Sequence, residues 1–516
     1  MSLPTGFQDF TKLRENNLIY VDKTMFFEPF LFGGQFFVAR PRRFGKSLFL
    51  STVKAIFQGR KDLFKGLWLE NNHDFKPHPV IRLDFSQINF VDKPLGLGVL
   101  DWLRVNALEY NYEIKSDNGR DAFVELIREL SKIEKVVVLI DEYDKPITDY
   151  LLEPEARSVQ QKALKNLYGA LKSLDSHLHL VLMTGVSKIG KLSLFSDLNN
   201  LRDISLEPEF ATLFGYTKAE IKIAFPDYLN TISQNLNIAL PELWESMQRW
   251  YNGYSWDAIE KVYCPFSFLL FLVQKEFKSY WYETGTPTFL LEIVRNAKFN
   301  PLHFESVLLD ELTISTTNIE NLEASSLMFQ TGYLTLKNKQ ISILGTRYEL
   351  TYPNEEVRMA FSKGLLLEYS KGSVAFIGSF SLELQDALLL LDWTKFFDVA
   401  NRVFAGIPYE IFPKRESYVH SLMHLMLIST GFQTQSQVQT SQGRMDTLTT
   451  TFEYNLIFEF KVSGTASQAL EQIDENRYAD GLKKPIIKVG VLFDLEQKQI
   501  SDWAISTTPL LLTRPH

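Results

Sequence analysis

Residues 40–47 read Arg-Pro-Arg-Arg-Phe-Gly-Lys-Ser and stand between a short apolar run, Gln35 to Ala39, and a helix-like segment, Ser47 to Phe57. A strand that breaks into Gly-Lys-Ser and resumes as a helix constrains the fold strongly. Such a loop aims backbone N–H groups and a helix N-terminus at one point, which is how phosphate is cradled. Lys46 is then placed to neutralise β/γ-phosphate charge, and the Ser47 hydroxyl to ligate Mg²⁺. Arg42, Arg43, Phe44 and Gly45 complete the loop, and with Arg40 its three arginines make it strongly anion-attracting. Arg40 stands where the usual phosphate-loop pattern has Gly. Gly-Lys-Ser alone is common, and a basic turn would read the same.

A second segment separates the two readings. Lys135 to Ile140 is a β-branched and Leu run, as expected of a strand buried on both faces, and it runs into Asp141-Glu142. Two carboxylates at the exit of a buried strand are costly unless they serve a metal or a partner. Asp141 is expected to hold Mg²⁺ through water and Glu142 to polarise the attacking water. Thr184 closes the next apolar run, Leu178 to Thr184, and is a candidate contact for a γ-phosphate. Around these motifs strand-like and helix-like stretches alternate, which predicts a largely parallel sheet covered by helices.

The 516 residues divide into three blocks. Residues 1–215 hold the alternating pattern. Residues 216–390 are mostly helical and aromatic, marked by Trp250-Tyr-Asn-Gly-Tyr254 and Tyr280-Trp-Tyr282, with strand signals at Tyr333 to Leu336 and Ile341 to Leu344. They read as a helical lid and a small helix-and-strand module. The aromatics could stack on bases, but core of a helical lid is the plainer role. Residues 391–516 run helix, three strands, helix, strand: Glu416 to Ile428, Phe432 to Val438, Arg444 to Thr450, Tyr454 to Val462, Ala466 to Tyr478 and Ile486 to Phe493.

In this last block Glu459 and Lys461 share one face of a strand, since side chains alternate. A hairpin turning near Phe452-Glu453 sets Asp446 across from Glu459. Two carboxylates can hold Mg²⁺, and a lysine can orient or deprotonate water, which is the chemistry of phosphodiester hydrolysis. A cross-strand ion pair on a solvated face is the plainer alternative, because Glu-x-Lys is common.

Tyr20-Val-Asp-Lys-Thr24, the 40–47 loop, Leu83-Asp-Phe-Ser86, Ile140-Asp-Glu-Tyr-Asp-Lys-Pro146, Phe195-Ser-Asp-Leu-Asn-Asn200 and Trp250-Tyr-Asn-Gly-Tyr254 resemble the AAA-ATPase-like family of bacterial proteins. The resemblance covers nearly the whole chain. It implies ATP as ligand and an additional-strand, AAA-like P-loop sheet with a helical lid, and an Arg at position 40 is expected there. Gly443-Arg-Met-Asp446 and Glu459-Phe-Lys461 resemble the PD-(D/E)XK nuclease superfamily, with Met445 where the name has Pro. This implies a restriction-endonuclease-like α/β domain. Gln472 and Tyr478 match the Gln and Tyr of several such nucleases, and Glu416 or His420 could add a polar group. Arg202 is a candidate to complete the ATP site, against a surface salt bridge.

The formal charge of −8 does not announce a nucleic-acid partner, which would need a local basic surface such as Lys483, Lys484 and Lys488. The single cysteine, Cys264, excludes a disulfide framework or a Cys-based zinc site, and the eight histidines show no HxH or HExxH spacing. No nucleophile elbow is present. The start lacks a basic stretch followed by an apolar core, and no apolar run is long enough for a bilayer, so a cytoplasmic protein is expected. The sequence therefore reads as an Mg²⁺-dependent ATPase coupled to a nuclease-like module acting on nucleic acid, DNA favoured, with self-association open. The rival is a nucleotide-switched signalling or binding protein with an inert nuclease-like domain, and a polymer-stimulated motor is a third reading.

Overall fold

The computed structural model of the chain describes residues 2–281 apart from 196, 197 and 199, and residues 304–315, 323–343, 345–370, 374–407, 412, 414–439, 444–478, 482 and 484–507. Two compact units form. One comprises residues 1–289 and 306–354, the other 290–305 and 355–516.

The first unit is built on five parallel strands: β1 (Gly34–Ala39), β2 (Val80–Asp84), β3 (Val136–Asp141), β4 (Leu178–Gly185) and β5 (Leu201–Asp203). Their order is β2-β3-β4-β1-β5. The strand after the Asp-Glu motif, β4, is inserted between β3 and β1, so this is the additional-strand arrangement. Every residue of β3 is buried, which explains its unbroken apolar sequence. The helices on this sheet are α1 (Lys46–Phe57), α2 (Leu95–Leu108), α3 (Gly119–Leu130) and α4 (Pro154–Ser173). The α3 start is fixed by the Asn118 side chain, which accepts the Asp121 N–H at 3.0 Å. Short β5 and α2 carry too little periodicity to be legible in sequence.

A helical section follows: α5 (Lys218–Ala224), α6 (Pro226–Leu236), α7 (Leu240–Tyr251), α8 (Pro265–Gln274) and α9 (Ala324–Thr331). Thr217 and Glu220 cap α5 reciprocally. Most of the marker aromatics of this section are core, with Trp250 half-buried against it. Tyr251, Tyr254, Trp256, Tyr280 and Trp281 are all buried, while Tyr282 lies outside the described residues. Gly253 has φ +109°, and a Cβ there would lie 1.9 Å from the Pro353 carbonyl oxygen, so the motif's Gly is a steric requirement.

A small antiparallel sheet, order β6-β8-β7, comprises β6 (Val307–Asp310), β7 (Thr335–Ser342) and β8 (Gly345–Thr351). The strand signals at Tyr333 to Leu336 and Ile341 to Leu344 are corrected by this sheet. Thr335 and Leu336 of the first and Ile341 and Ser342 of the second belong to one strand, β7, whose register shifts between Leu336 and Asn338 and so breaks the alternation, while Leu344 lies outside the described residues.

The second unit contains α10 (Glu355–Ser370), α11 (Val374–Leu390), α12 (Trp393–Gly406), α13 (Glu416–Ser429) and α14 (Ala466–Glu475), with β9 (Gln433–Gln439), β10 (Arg444–Thr450), β11 (Asn455–Lys461), β12 (Ile486–Asp494) and β13 (Gln499–Thr507). The sheet order is β13-β12-β11-β10-β9, antiparallel except for the β11–β12 pair. The sequence reading stopped at β12. β13 is the unforeseen edge strand, mostly polar and half-exposed. Phe458 and Phe460 face α12 and α13, through Phe396 and His420 respectively. Ile457 faces α14, where it packs with Met445, Ile473 and Tyr478. This places Glu459 and Lys461 under α14. Among the described residues no helix is long and apolar enough to cross a membrane.

Candidate active sites

The loop between β1 and α1 is held open by backbone geometry. Arg43 has φ +71° and Gly45 φ +87°, so two left-handed residues reverse the chain before the helix begins. A left-handed Arg is a strained choice, typical of functional loops. Lys46 is 6% exposed, and its ammonium donates to the carbonyls of Arg40 at 2.9 Å and Pro41 at 3.0 Å. Burial lowers its pKa, opposed by the nearby carboxylates of Glu142, Asp141 and Asp144. Ser47 is half-buried one residue on.

Arg40 departs from the expectation of a loop with three anion-seeking arginines. It is fully buried, and its guanidinium donates to the carbonyls of Ala39 (2.9 Å), Ser205 (2.7 Å) and Phe210 (3.2 Å). Its cationic centre lies 4.2 Å from the Trp256 ring centroid. Burial brings its pKa down to about 9, so it remains a cation at neutral pH. The side chain is a strut that ties the loop to residues 205–210 and to the aromatic section. Phe44 likewise turns its ring inward, edge-on to Tyr254 and Trp256, and only its backbone is available to a phosphate. Arg43 is exposed over Phe266. Arg42 lines an open cleft with Glu142, Asp144 and Lys145, and its carbonyl accepts the Trp281 indole N–H at 3.2 Å.

The carboxyl ends of β2, β3 and β4 meet beside this cleft. Asp141 is 1% exposed, and its oxygens accept from the Thr184 hydroxyl at 2.7 Å and from Arg82 at 3.3 Å. Arg82 also reaches Asp84 at 3.2 Å. Sequence reasoning gave Arg82 no role, and Asp84 entered only within a resembling segment. The available signal was polar residues inside and ending an apolar strand. Thr184 spends its proton on Asp141. Glu142 follows in a left-handed conformation, φ +52°, and burial raises its pKa, with Lys46 opposing. Asp144 accepts the Ser187 N–H at 2.8 Å and hydroxyl at 2.7 Å, fastening the chain after β4. Arg202 is in an ion pair with Glu207 and Glu209.

In the second unit Thr447 pairs with Phe458, so Asp446 and Glu459 lie one step further along the same ladder. The Asp446 carboxylate accepts the Phe460 N–H at 3.0 Å. His420 bonds the Asp446 carbonyl at 2.9 Å and the Thr447 hydroxyl at 3.1 Å, while Glu416 is exposed. Gln472 on α14 joins the group. Its amide donates to one Glu459 oxygen and its carbonyl accepts Lys461 at 2.7 Å. Tyr478 is buried nearby, its hydroxyl accepting from Asn476 at 3.0 Å. Arg444's side chain, Gly443 and Lys483 lie outside the described residues. Lys484 donates to the Thr451 carbonyl and Lys488 pairs with Asp474, so both have partners on the protein itself.

Glu459 is the outlier. It is 3% exposed, and its Oε2 is buried with no hydrogen-bond partner. Burial first, and then the neighbouring Asp446, push its pKa up to about 8. A buried carboxylate that lacks a partner on one side, beside a second carboxylate, has the chemistry of a cation site. These residues fit a divalent metal ion.

The fold and the two clusters define a P-loop core of the additional-strand class and a nuclease-type sheet on one chain. Residues 4–195 match the family model described as a predicted AAA-ATPase, and residues 414–503 match that of the PD-(D/E)XK nuclease superfamily. A protein of Azotobacter chroococcum mcd 1, described as an uncharacterized protein in the vnfD 5' region, is 35% identical over 522 residues, covering 98% of this chain and 99% of that one. The chain belongs to the AAA-ATPase-like family, in the form that carries a C-terminal PD-(D/E)XK nuclease superfamily domain.

Two outcomes follow from these geometries. Arg40→Gly restores the usual phosphate-loop residue yet removes the strut, and should destabilise the first unit by about 3 kcal/mol. Denaturant unfolding followed by tryptophan fluorescence measures this. For Glu459 the folded pKa is about 8 against 4.5 for the ordinary group, so the folded state binds the extra proton between those values. Stability of the second unit should therefore fall as pH rises from 4.5 toward 8 when a chelator removes metal. Glu459→Gln should flatten that fall, read as unfolding midpoints across the same pH range.

Proposed function

We propose that this protein is an Mg²⁺-dependent ATPase whose nucleotide state controls a phosphodiester-cleaving module, with DNA as the favoured polymer. The partnerless Glu459 oxygen beside Asp446 is the observation that carries the nuclease half. Asp446 and Glu459 hold the cation, which when bound supplies positive charge to the scissile phosphate. Lys461 orients a water and helps remove its proton, and Gln472 keeps Glu459 and Lys461 in register. His420 is a positioning residue that fixes the Asp446 segment.

At the other site Lys46 exchanges its two loop carbonyls for β/γ-phosphate oxygens, with Arg42 and Arg43 adding charge. The N–H groups of Phe44 and Gly45 contribute to the cradle. Ser47 and Asp141 hold Mg²⁺. Glu142 polarises the attacking water, and its raised pKa suits a base. Thr184 keeps Asp141 in place and lies at the γ-phosphate end of the sheet. Closure of the helical section reports nucleotide state to the second unit.

One observation favours the rival, a nucleotide-switched binding protein with an inert nuclease-like module. Gln472 engages both Glu459 and Lys461, and among the described residues no three His, Cys, Asp or Glu groups gather into a metal cage. In that case Glu459 substitutions would be silent.

The test is cleavage of single- and double-stranded DNA and RNA with Mg²⁺, with and without ATP. Lys461→Met should lower the rate roughly 10²–10⁴-fold. Glu459→Ala should abolish cleavage, and Lys46→Ala should remove its response to ATP. Failure of the wild-type protein to cut any polymer, with ATP still bound through Lys46, would overturn the nuclease reading in favour of the rival.

A further inference from the structure

The chain passes from the second unit to the first after Glu305 and returns before Glu355. Both crossings are fastened close to where they occur. On the first-unit side β6 follows the outward crossing and β8 leads into the return, and the two strands pair, with Val307 opposite Leu350. Ser306 donates to Glu349 of β8 at 2.9 Å. Residues 353–354 then dock on the aromatic motif. Asn354 donates to the Asn252 carbonyl at 2.9 Å, and the Pro353 carbonyl oxygen lies where Gly253 would carry a Cβ. The next residue, Tyr254, packs on Phe44 of the phosphate loop, with ring centroids 4.8 Å apart. The return crossing is therefore seated on the support of that loop.

Inside the second unit the two crossings meet in one ion pair. Arg358, on the first turn of α10, donates to Glu305 Oε1 from Nε at 2.9 Å and from Nη2 at 2.6 Å. Nη2 also donates to the Thr434 carbonyl on β9, the strand paired with β10. His424 of α13 is 1% exposed, and its Nε2 stands 3.5 Å from the same Glu305 oxygen. Neither ring nitrogen of His424 has a hydrogen-bond partner. Against the cost of burial, Arg358 and then His424 bring the Glu305 carboxyl down to about 2, while burial brings His424 down to about 4. At neutral pH a carboxylate thus faces a guanidinium and a neutral imidazole. One turn along α13, His420 bonds the Asp446 carbonyl at 2.9 Å. Residues four apart share a helix face.

We infer that Glu305, Arg358 and His424 form the relay through which the nucleotide loop sets the position of Asp446. The inference rests on the proposed control of the nuclease-type module by nucleotide, and it names the route. All three are positioning residues that act through α13 and through β9 on β10. A buried imidazole with both nitrogens unmet is costly. A shift of Glu305 by about 0.5 Å gives the Nε2–H of His424 an acceptor within hydrogen-bond range. The carboxylate therefore has two arrangements, held by Arg358 alone or shared with His424. A displaced crossing selects between them, and both sites bias this one element.

Amide hydrogen exchange of the full chain, at fixed Mg²⁺, with and without a non-hydrolysable ATP analogue, tests the relay. In the wild-type protein the analogue should change exchange in residues 416–429 and 444–450 about fivefold or more. Glu305→Gln removes the charge, and His424→Phe fills the space without a donor. Both should bind the analogue like wild type, while the change shrinks below about twofold. A merely structural cluster would raise exchange equally with and without the analogue. An unchanged ratio in either folded variant therefore overturns the inference. A wild-type protein whose exchange in those residues ignores the analogue fails the nucleotide-control reading itself and the inference with it, a result told apart because it needs no variant. A variant that unfolds exchanges fast throughout, and the other variant then decides.

Discussion

Asp141 sits at the end of a strand with its side chain 1% exposed, and the cluster at the carboxyl ends of these strands forms around the cost of burying that charge. A buried charge must be met by partners or be neutralised. Thr184 and Arg82 meet it, Arg82 also meets Asp84, and Arg82, Asp141 and Thr184 come from the adjacent strands β2, β3 and β4. Parallel strands make this possible because all their carboxyl ends face one way. The same rule accounts for Asp203 at the end of β5, which Lys188 and Lys191 neutralise. Glu459 breaks the rule on one oxygen, and that exception singles it out.

Arg40 shows how a departure from a familiar pattern becomes structure. Gly at this position would give the loop freedom. Arg gives it a tether to three carbonyls and an aromatic face. The cost of burying a guanidinium is offset by those contacts and by the Asp203 charge. The Trp250–Tyr254 motif and Trp256 thereby become part of the loop's support. Phe44 packs on Tyr254 and Trp256, and Gly253 fits only because it lacks a side chain. A segment more than 200 residues away in sequence so sets the shape of the phosphate loop.

The buried strands of the first sheet were legible because both faces are covered and their sequences are unbroken apolar runs. The β10–β11 hairpin was legible because alternation and the turn fixed its register, and register brought Asp446, Glu459 and Lys461 together. Strand β13 was not, since an edge strand with polar residues carries no apolar period. Arg40's inward turn was not either, because a basic residue in a basic loop gives no sign of which way it points. Arg82 escaped notice for a related reason: one charge inside an apolar strand has meaning only when the partners on neighbouring strands are known.

The claim that Glu459 is kept for a cation can be tested by calorimetric titration of Mg²⁺ into nucleotide-free protein at pH 7, in two buffers of different ionisation heat. A carboxyl with a pKa near 8 is mostly protonated at that pH, so metal must displace its proton. The account predicts release of close to one proton by the wild-type protein and none by Glu459→Gln. Binding without proton release, or equal release by the variant, would contradict it.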